Sequence, residues 1–324
     1  MSHAHRQHSL AHQLLLTKFG GARDVPTNGY LAGHSVEEWR AVLGQSLSAA
    51  VSTFVSQGLL REATVGEKLH SVLKAPDLKG HLRQRGLPMS GKKSDLATRL
   101  AQSDPQLAAS LTRGRAVYVS TEEGSRLIGE FQDAAKASRT RMEKSLTDLL
   151  ASGEFRVAVV TLASFEAAQV FARGMGVDWA DYDPEPDERI IRLIFTRVPK
   201  SLAGTPSGYL PICRVGAAML RLVWNVGEVS TWLSRHIPGE AEDRLYKVAS
   251  DLCSYALFLN QVDSLKASPF LHHLRVLTCN DDLVCESCKR LAEGTHPLED
   301  PPEIPNPDCS SRSWCRCGVS GELL

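Results

Sequence analysis

The sequence lacks any run of about eighteen uncharged apolar residues, and this absence predicts that no helix spans a membrane. Its longest apolar stretch, 215–233, is interrupted by Arg221 and Glu228. The N-terminal segment 1–16 also lacks the cationic start, apolar centre and cleavage site of a signal peptide. We therefore expect a cytoplasmic protein, in a compartment where thiols stay reduced.

The sequence also lacks a charge excess of either sign. Lys plus Arg and Asp plus Glu both total 37, so any affinity for nucleic acid must come from a local patch and not from bulk charge. The short motifs of common enzyme classes are missing too: there is no Walker loop, no G-x-S-x-G elbow and no H-E-x-x-H motif. The sequence thus leaves enzymatic activity open and identifies no catalytic residue.

The length of 324 residues predicts more than one domain. The fold class that we expect is mainly α with a small β component, in a multidomain chain. We predict a flexible, histidine-containing lead at 1–34, a helical segment at 35–67 and a short basic module at 68–102. A mainly helical body at 115–275 and a cysteine-rich end at 276–324 follow.

Local patterns predict individual elements. Ser35 and Glu38 form a capping box that begins a helix, which Gly58 ends. A short strand is expected at 116–119, a long charged helix at 122–150, and amphipathic helices at 210–235 and 240–259. Two further β candidates are the beginning of 156–173 and the β-branched stretch 190–198.

The segment 74–100 carries the strongest functional signal. Leu78 and Leu82, then Leu96 and Leu100, recur at helical spacing on either side of glycine- and proline-containing turns. Seven basic residues stand against only Asp77 and Asp95 in this segment. A basic patch on a helix–turn–helix unit is typical of proteins that bind the phosphate backbone. The alternative is a solvated basic face on a helical hairpin.

The same residues closely resemble the SAP domain, a helix–extended turn–helix module that binds DNA and sometimes RNA. The matching letters are DLKGHLRQRGLPMSGKKSDLATRL, with the RGLP turn, the SGKK loop and the closing RL in order. The resemblance implies that the turn and the start of the second helix face the nucleic acid. The candidate contact residues are Lys79, Arg83, Arg85, Lys92, Lys93 and Arg99.

An acidic segment in the body supports a rival interpretation. Asp178, Asp181, Asp183, Glu185, Asp187 and Glu188 lie close together in sequence. Clustered carboxylates can hold magnesium for phosphodiester cleavage, so a SAP-targeted nuclease is the main alternative function. The neighbouring Pro184 and Pro186 favour a solvated loop instead.

Six of the eight cysteines lie beyond residue 278, while Cys213 and Cys253 lie in apolar helical sequence as expected core thiols. In a reducing compartment such clustering favours a metal over disulfides. Cys285-x-x-Cys288 can hold one side of a tetrahedral ion, and Cys309, Cys315 and Cys317 are candidates for the other. We predict a closed, structural Zn²⁺ site; six unrelated reduced cysteines are the alternative.

Alternation along an extended strand would place Cys315 and Cys317 on opposite sides, so only one of them is expected to bind beside Cys309. Cys279 is a spare or a substitute. The proline-rich link 301–307 has few apolar residues, and we expect the metal to supply most of the local folding energy.

The C-terminal segment is also similar to the C-terminal signature of phage Mu F-like and related minor head morphogenesis proteins. Asp282, Cys285 and Cys288, the PPEIPNP run and Cys315-Arg316-Cys317 carry this similarity. The chain departs from it by having Cys309 where that family has a histidine near the final cysteines. The similarity implies a phage or mobile-element origin and leaves the function of the body open.

Together these features predict a DNA-binding protein, with RNA as a further partner, whose binding is largely independent of sequence. A phage head or portal-associated structural role is the remaining alternative. Phage or host protein partners cannot be named from the sequence.

Overall fold

The computed structural model describes residues 9–174, 176–279, 281–310 and 315–323. These residues are mainly helical with a few small sheets, as the sequence predicts. The backbone divides into two units, residues 1–139 and 140–324. We describe each unit separately.

The first unit contains these elements: α1 (Leu10–Leu16), a 3₁₀ turn (Thr17–Phe19), β1 (Arg23–Asp24), β2 (Tyr30–Leu31), β3 (His34–Ser35), α2 (Val36–Leu43), α3 (Leu47–Ser56), β4 (Leu60–Glu62), α4 (Val65–Val72), α5 (Ala75–Arg83), α6 (Lys93–Ser103), α7 (Pro105–Leu111) and β5 (Val117–Ser120). The next helix, α8 (Glu122–Ala151), includes the point where the two units divide.

The second unit continues with α9 (Phe155–Ala167), α10 (Glu185–Thr196), a 3₁₀ turn (Lys200–Leu202), α11 (Leu210–Leu222), α12 (Val226–His236), α13 (Glu242–Lys266), β6 (His273–Leu277), α14 (Glu286–Ala292), β7 (Thr295–Pro297) and β8 (Gly318–Glu322).

Residues 9–34 do not form the flexible lead that the sequence predicted for 1–34. Ser9 caps α1 by accepting a hydrogen bond from the His12 amide, and Leu15 and Phe19 are fully buried. The strand β1 then pairs with β5. This segment is ordered because its apolar side chains are buried in a core. The polar histidines among them made the segment resemble a solvated one in the sequence. Residues 1–8, with His3, His5 and His8, lie outside the described residues.

The remaining helical predictions hold with two corrections. The Ser35–Glu38 capping box is confirmed, but Gly44 ends α2 in the left-handed conformation (φ 66°) and Ser46 caps α3. The helix expected over 210–235 is likewise divided, and Asn225 caps α12.

Both β candidates in the body are wrong, because 155–167 and 185–196 are helical; the strand expected at 116–119 is confirmed as β5. Ile190, Ile191 and Ile194 share the buried side of α10. Burial of this face outweighs the preference of β-branched residues for strands.

An antiparallel sheet in the order β1-β5-β4 places two distant parts of the first unit side by side. Leu60 lies opposite Ser120, and Glu62 lies opposite Tyr118. Helices α4 to α7 lie between these paired strands in sequence. The segment that resembles a SAP domain is therefore inserted between two paired strands, β4 and β5. This pairing holds the two ends of the insertion close together.

The body of the second unit packs around α13. Met142 and Leu146 of α8, together with Ile191 of α10 and Leu245 of α13, belong to one apolar core. Cys213 is in the same core, and burial raises its pKa to about 12. Cys253 is buried too and its pKa is raised, first by burial, to about 11. Both behave as the unreactive core thiols that the sequence predicts.

The cysteine-rich end has an apolar core, contrary to the expectation from its proline-rich sequence. An antiparallel sheet in the order β7-β6-β8 supplies Leu274, Val276 and Val319 to this core. Phe258 of α13 and Ile304 of the proline-rich link complete it. Apolar burial therefore contributes to the stability of this region.

Candidate nucleic-acid interface and metal centre

The SAP-like helices are held by a small leucine core. Leu78 and Leu82 of α5 pack with Leu96 and Leu100 of α6, and all four are fully buried or nearly so. Leu69 of α4 joins the same core. The apolar positions read from the sequence are thus the ones that build the hairpin.

Both SAP-like helices begin with the same arrangement. Lys74 precedes α5 and Lys92 precedes α6; their backbone amides donate to the carboxylates of Asp77 and Asp95 at 3.1 and 3.0 Å. An acidic group in the first turn also interacts favourably with the helix dipole. The two acidic residues of the segment 74–100 are therefore engaged at helix ends.

Two glycines shape the turn between the helices. Gly86 follows α5 with φ 65°, and Gly91 precedes α6 with φ 116°, both in the region that favours glycine. A Cβ atom at Gly91 would lie 3.1 Å from Oδ2 of Asp95. The turn geometry thus depends on glycine at these positions.

Two of the six candidate contact residues, Arg85 and Arg99, bond to other groups of the same protein and so support the turn. The Arg85 guanidinium pairs with Asp104 at 2.6 Å and donates to the His81 carbonyl at 3.1 Å. Asp104 in turn caps α7 by accepting from the Leu107 amide at 2.9 Å. Arg99 donates to the carbonyls of Pro88 and Ser90 at 2.5 and 3.0 Å. These arginines hold the hairpin and the turn together.

Asp104 lies just beyond the predicted module at 68–102 and is therefore not among the candidate residues taken from the sequence. Its signal was present: an aspartate directly before proline is typical of a helix N-cap followed by proline in the first turn. The leucine core extends through α7 by way of Ala108.

The other four candidates are available to a ligand. Lys79, Arg83 and Lys92 are exposed and Lys93 is partly exposed. Within the described residues, their side chains make no hydrogen bond or ion pair. Lys74 has the same character. Lys92 and Lys93 directly follow the glycine-containing turn, and Lys79 and Arg83 lie on the helix that precedes it, an arrangement suited to phosphate groups.

Five cysteine thiols come together at the C-terminal end. The sulfur atoms of Cys285, Cys288 and Cys309 lie within 4.8 Å of one another, and so do those of Cys288, Cys315 and Cys317. These five side chains line a cavity of about 10 Å³, which is close to the space that one water molecule needs. The cluster is close enough to bind a metal ion.

The thiols differ in their ease of ionisation. Burial opposes ionisation of Cys285, but hydrogen bonding with the Ser287 hydroxyl and with backbone amides outweighs it and lowers the pKa of Cys285 to about 6. Burial is the main cause of a raised pKa at Cys288. A bound cation would favour the thiolate form of both.

The expected separation of Cys315 and Cys317 is wrong. Both precede β8 in an irregular segment, so the alternation of an extended strand does not apply, and both sulfur atoms lie beside that of Cys288. Cys279 is exposed and bonds the Arg316 carbonyl at 3.7 Å, outside both groups of three. Arg316 also makes a bidentate ion pair with Asp281 at 2.5 and 2.8 Å, which ties the two halves of the site together.

The acidic residues of the body are not gathered around one point. Asp187 pairs with Arg221 at 2.6 Å and accepts from the Tyr182 hydroxyl. Glu188 pairs with Arg192 at 2.7 Å and with Arg156 at 3.2 Å.

Other members of the acidic segment make local bonds. Asp183 accepts from the backbone amide of Glu185 at 3.0 Å. In the described part of the chain, the groups of side chains close enough to share a metal consist of cysteines.

None of the described helices combines the length and apolar character needed to cross a bilayer.

Comparison with known proteins identifies a SAP domain at residues 71–105. These bounds lie close to the predicted module at 68–102. No curated protein matches the chain. The chain therefore contains a SAP domain, and this domain indicates nucleic-acid binding.

Proposed function

We propose that this protein binds duplex DNA through its SAP domain, largely independently of sequence. Lys79, Arg83, Lys92 and Lys93 contact phosphate groups. Arg85 and Arg99 hold the turn in the shape that presents them. The observation that carries this proposal is the separation of free from engaged cations within one domain.

Phosphate contacts fix position without reading bases, and a hairpin of two short helices offers few side chains for the base edges. The affinity should therefore vary little between DNA sequences and fall steeply with salt. RNA is the competing ligand, and a parallel titration with an RNA duplex distinguishes the two.

The test is a fluorescence-anisotropy titration of the full chain with a labelled duplex at several salt concentrations. Each lost phosphate contact should reduce the salt slope by roughly 0.9 on duplex DNA. We expect Lys92→Ala/Lys93→Ala to weaken binding to unrelated sequences by similar factors. The matched control is Arg141→Ala/Arg189→Ala, which removes two exposed cations outside the domain. Equal affinity of the lysine variant and the wild-type protein would remove these residues from the interface.

We propose further that the cysteine cluster holds one structural Zn²⁺ ion. A tetrahedral zinc with sulfur ligands at about 2.3 Å has neighbouring sulfurs roughly 3.8 Å apart. The sulfurs of Cys285 and Cys309 are 3.7 Å apart, which fits one edge of that tetrahedron. A four-thiolate site leaves no position for substrate, so the metal supports structure and not catalysis.

Cys315 is the better candidate for the fourth ligand beside Cys285, Cys288 and Cys309. It is 4% exposed and belongs to the apolar core, whereas Cys317 is more accessible. Elemental analysis of reduced protein should give one zinc per chain. Cys315→Ser should lose the metal and Cys317→Ser should keep it; the reverse would exchange the two assignments.

A phage or mobile-element origin and a reducing, cytoplasmic compartment complete the proposal. The origin has the support of the C-terminal sequence similarity alone. The compartment follows from thiols that must stay reduced to bind zinc. The nuclease alternative would require Asp187 and Glu188 to leave their arginine partners, so we do not favour it. Metal-dependent nicking of a plasmid, lost in Asp181→Ala/Asp183→Ala, would restore that alternative.

A further inference from the structure

The cysteine cluster contains one thiol more than a tetrahedral metal ion can hold. Five sulfur atoms come together, those of Cys285, Cys288, Cys309, Cys315 and Cys317. A structural zinc takes four protein ligands. With the four ligands proposed above, the thiol of Cys317 is left over inside the cluster.

The fold holds Cys317 beside a proposed ligand. Its sulfur lies within 4.8 Å of that of Cys288. The preceding Arg316 makes an ion pair with Asp281 at 2.5 Å, and the following Gly318 begins β8. The chain is therefore anchored on both sides of Cys317, and its sulfur stays close to that of Cys288.

Cys317 is also more accessible than the thiols beside it. Cys288 is 1% exposed and Cys315 is 4% exposed, whereas Cys317 is partly exposed. Cys285 and Cys309 are partly exposed as well, but both are proposed zinc ligands. An accessible thiol next to a second thiol is the usual arrangement of a cysteine that reacts with oxidants.

We propose that Cys317 is an oxidative modification site that controls the zinc site proposed above. A peroxide oxidises the Cys317 thiol to a sulfenic acid, and the sulfur of Cys288 then forms a disulfide with it. Cys288 is the partner because its sulfur belongs to both groups of three. The zinc loses a central ligand and leaves, since structural zinc sites need four.

The reaction is balanced with one molecule of hydrogen peroxide for each disulfide. In the first step the O–O bond of the peroxide breaks and the Cys317 sulfur loses two electrons. One oxygen stays on that sulfur as the sulfenic acid, and the other leaves as water with the thiol proton. In the second step the Cys288 thiolate leaves the zinc and displaces hydroxide from the Cys317 sulfur. The S–O bond breaks, the S–S bond forms, and the hydroxide takes a proton from the solvent to become the second water.

The test adds hydrogen peroxide to the reduced, zinc-loaded full chain beside a chromophoric chelator that reports released zinc. The wild-type protein should release its zinc, and peptide mapping by mass spectrometry should find a Cys288–Cys317 disulfide. Cys317→Ser should keep zinc when reduced and release it at least about tenfold more slowly under peroxide. A thiol reductant with added zinc should restore the metal to the wild-type protein.

The matched control is Cys279→Ser, which removes an exposed thiol outside both groups of three and should release zinc like the wild type. Slower release from this control would identify Cys279 as the modified thiol and overturn the proposal. The disulfide map of the wild-type protein keeps the proposal testable even if Cys317→Ser does not fold.

Three further outcomes would overturn the proposal, and they separate it from the zinc site on which it rests. Equal release from Cys317→Ser and the wild type, or a disulfide that does not contain Cys317, overturns the redox role and leaves the zinc site intact. Loss of zinc from reduced Cys317→Ser would make Cys317 a ligand. Absence of zinc from the reduced wild-type protein would overturn the zinc site itself.

Discussion

Arginine and lysine have different roles in the SAP domain. The planar guanidinium groups of Arg85 and Arg99 bond several acceptors at once and fix the turn. Lys79, Lys92 and Lys93 have compact charges on flexible stems and make no hydrogen bond or ion pair with the residues that the structure describes. Replacing all of these residues together would therefore combine a loss of stability with a loss of DNA affinity.

Arg85→Ala should reduce stability more than it reduces DNA affinity. The change removes the ion pair with Asp104 and the bond to the His81 carbonyl, so α5 and α7 lose their link. We expect a lower urea midpoint, with the affinity of the remaining folded protein within about threefold of the wild type, since no direct phosphate contact is lost. A variant that folds with unchanged stability yet binds as weakly as Lys92→Ala/Lys93→Ala would show that Arg85 contacts DNA directly.

Glu67 gives a prediction about pH. Both oxygens of its carboxylate accept hydrogen bonds from Arg61 at 2.8 Å, and the same carboxylate caps α4. The hydrogen bonds from Arg61 are the main cause that lowers the pKa of Glu67 to about 2. A depressed pKa contributes stability above the unfolded value of about 4.3 and loses it as the pH falls towards 2. Denaturation of wild type and Glu67→Gln should therefore differ at pH 6 and converge near pH 2. A difference that is constant over this range would contradict the assignment.

At the scale of secondary-structure elements, the beginning of α8 depends on close backbone approach. Gly124 lies in its first turn, and a Cβ atom there would lie 2.0 Å from the Leu59 carbonyl oxygen. The Thr121 hydroxyl bonds the Gly58 carbonyl at 2.6 Å in the same place. The contact fixes the start of α8 against the chain that enters β4.

Gly124→Ala should therefore destabilise the protein by about 1–3 kcal/mol or more, because the added methyl group overpacks a tight contact. Gly129 in the same helix is the control, because a Cβ atom there meets no neighbouring atom within 4 Å. Gly129→Ala should stabilise by about 0.5–1 kcal/mol through its better helix propensity. Equal effects of the two substitutions in urea denaturation would contradict the close contact.

Metal removal should loosen the cysteine-rich end without unfolding it. The strands β6 and β8 belong to an apolar core with Phe258 and Val262 of α13. The loops that carry Cys285 and Cys309 instead rely on the sulfur cluster and on the Ser287 hydroxyl, which donates to the Asp308 carbonyl at 2.9 Å. We expect chelation or Cys285→Ser to raise hydrogen exchange in 282–292 and 306–310 while β6 stays protected. Loss of protection throughout β6 would mean that the metal supports the whole end.

At the scale of the whole molecule, the SAP domain is an insertion with its own core. The strands β4 and β5 pair on either side of it, and its leucines form a separate cluster. Residues 59–121 should therefore fold as an isolated fragment and bind duplex DNA within about threefold of the full chain, because the four proposed phosphate contacts all lie inside it. Circular dichroism and anisotropy test this. A full chain that binds more than about tenfold tighter would place a second DNA-binding surface elsewhere.

Local patterns predicted much of the chain because their causes are local. The Ser35 cap, the leucine spacing of α5 and α6 and the paired cysteines all act over a few residues. The predictions are wrong where contacts between residues far apart in sequence determine the local structure. Ile190 and Ile191 are helical because α10 buries them, and 9–34 are ordered because Leu15 and Phe19 find a core.

The sequence by itself determined that the chain contains a SAP domain, which residues build its core and which cysteines form a cluster. The reason is that spacing, turn glycines and the C-x-x-C motif are properties of neighbouring positions. Only the tertiary structure decided that Arg85 and Arg99 are engaged and that Cys315 and Cys317 lie together. It alone brought β4 and β5 together around the SAP insertion. Those outcomes depend on distances between residues far apart in sequence, which are set by packing and not by local propensity.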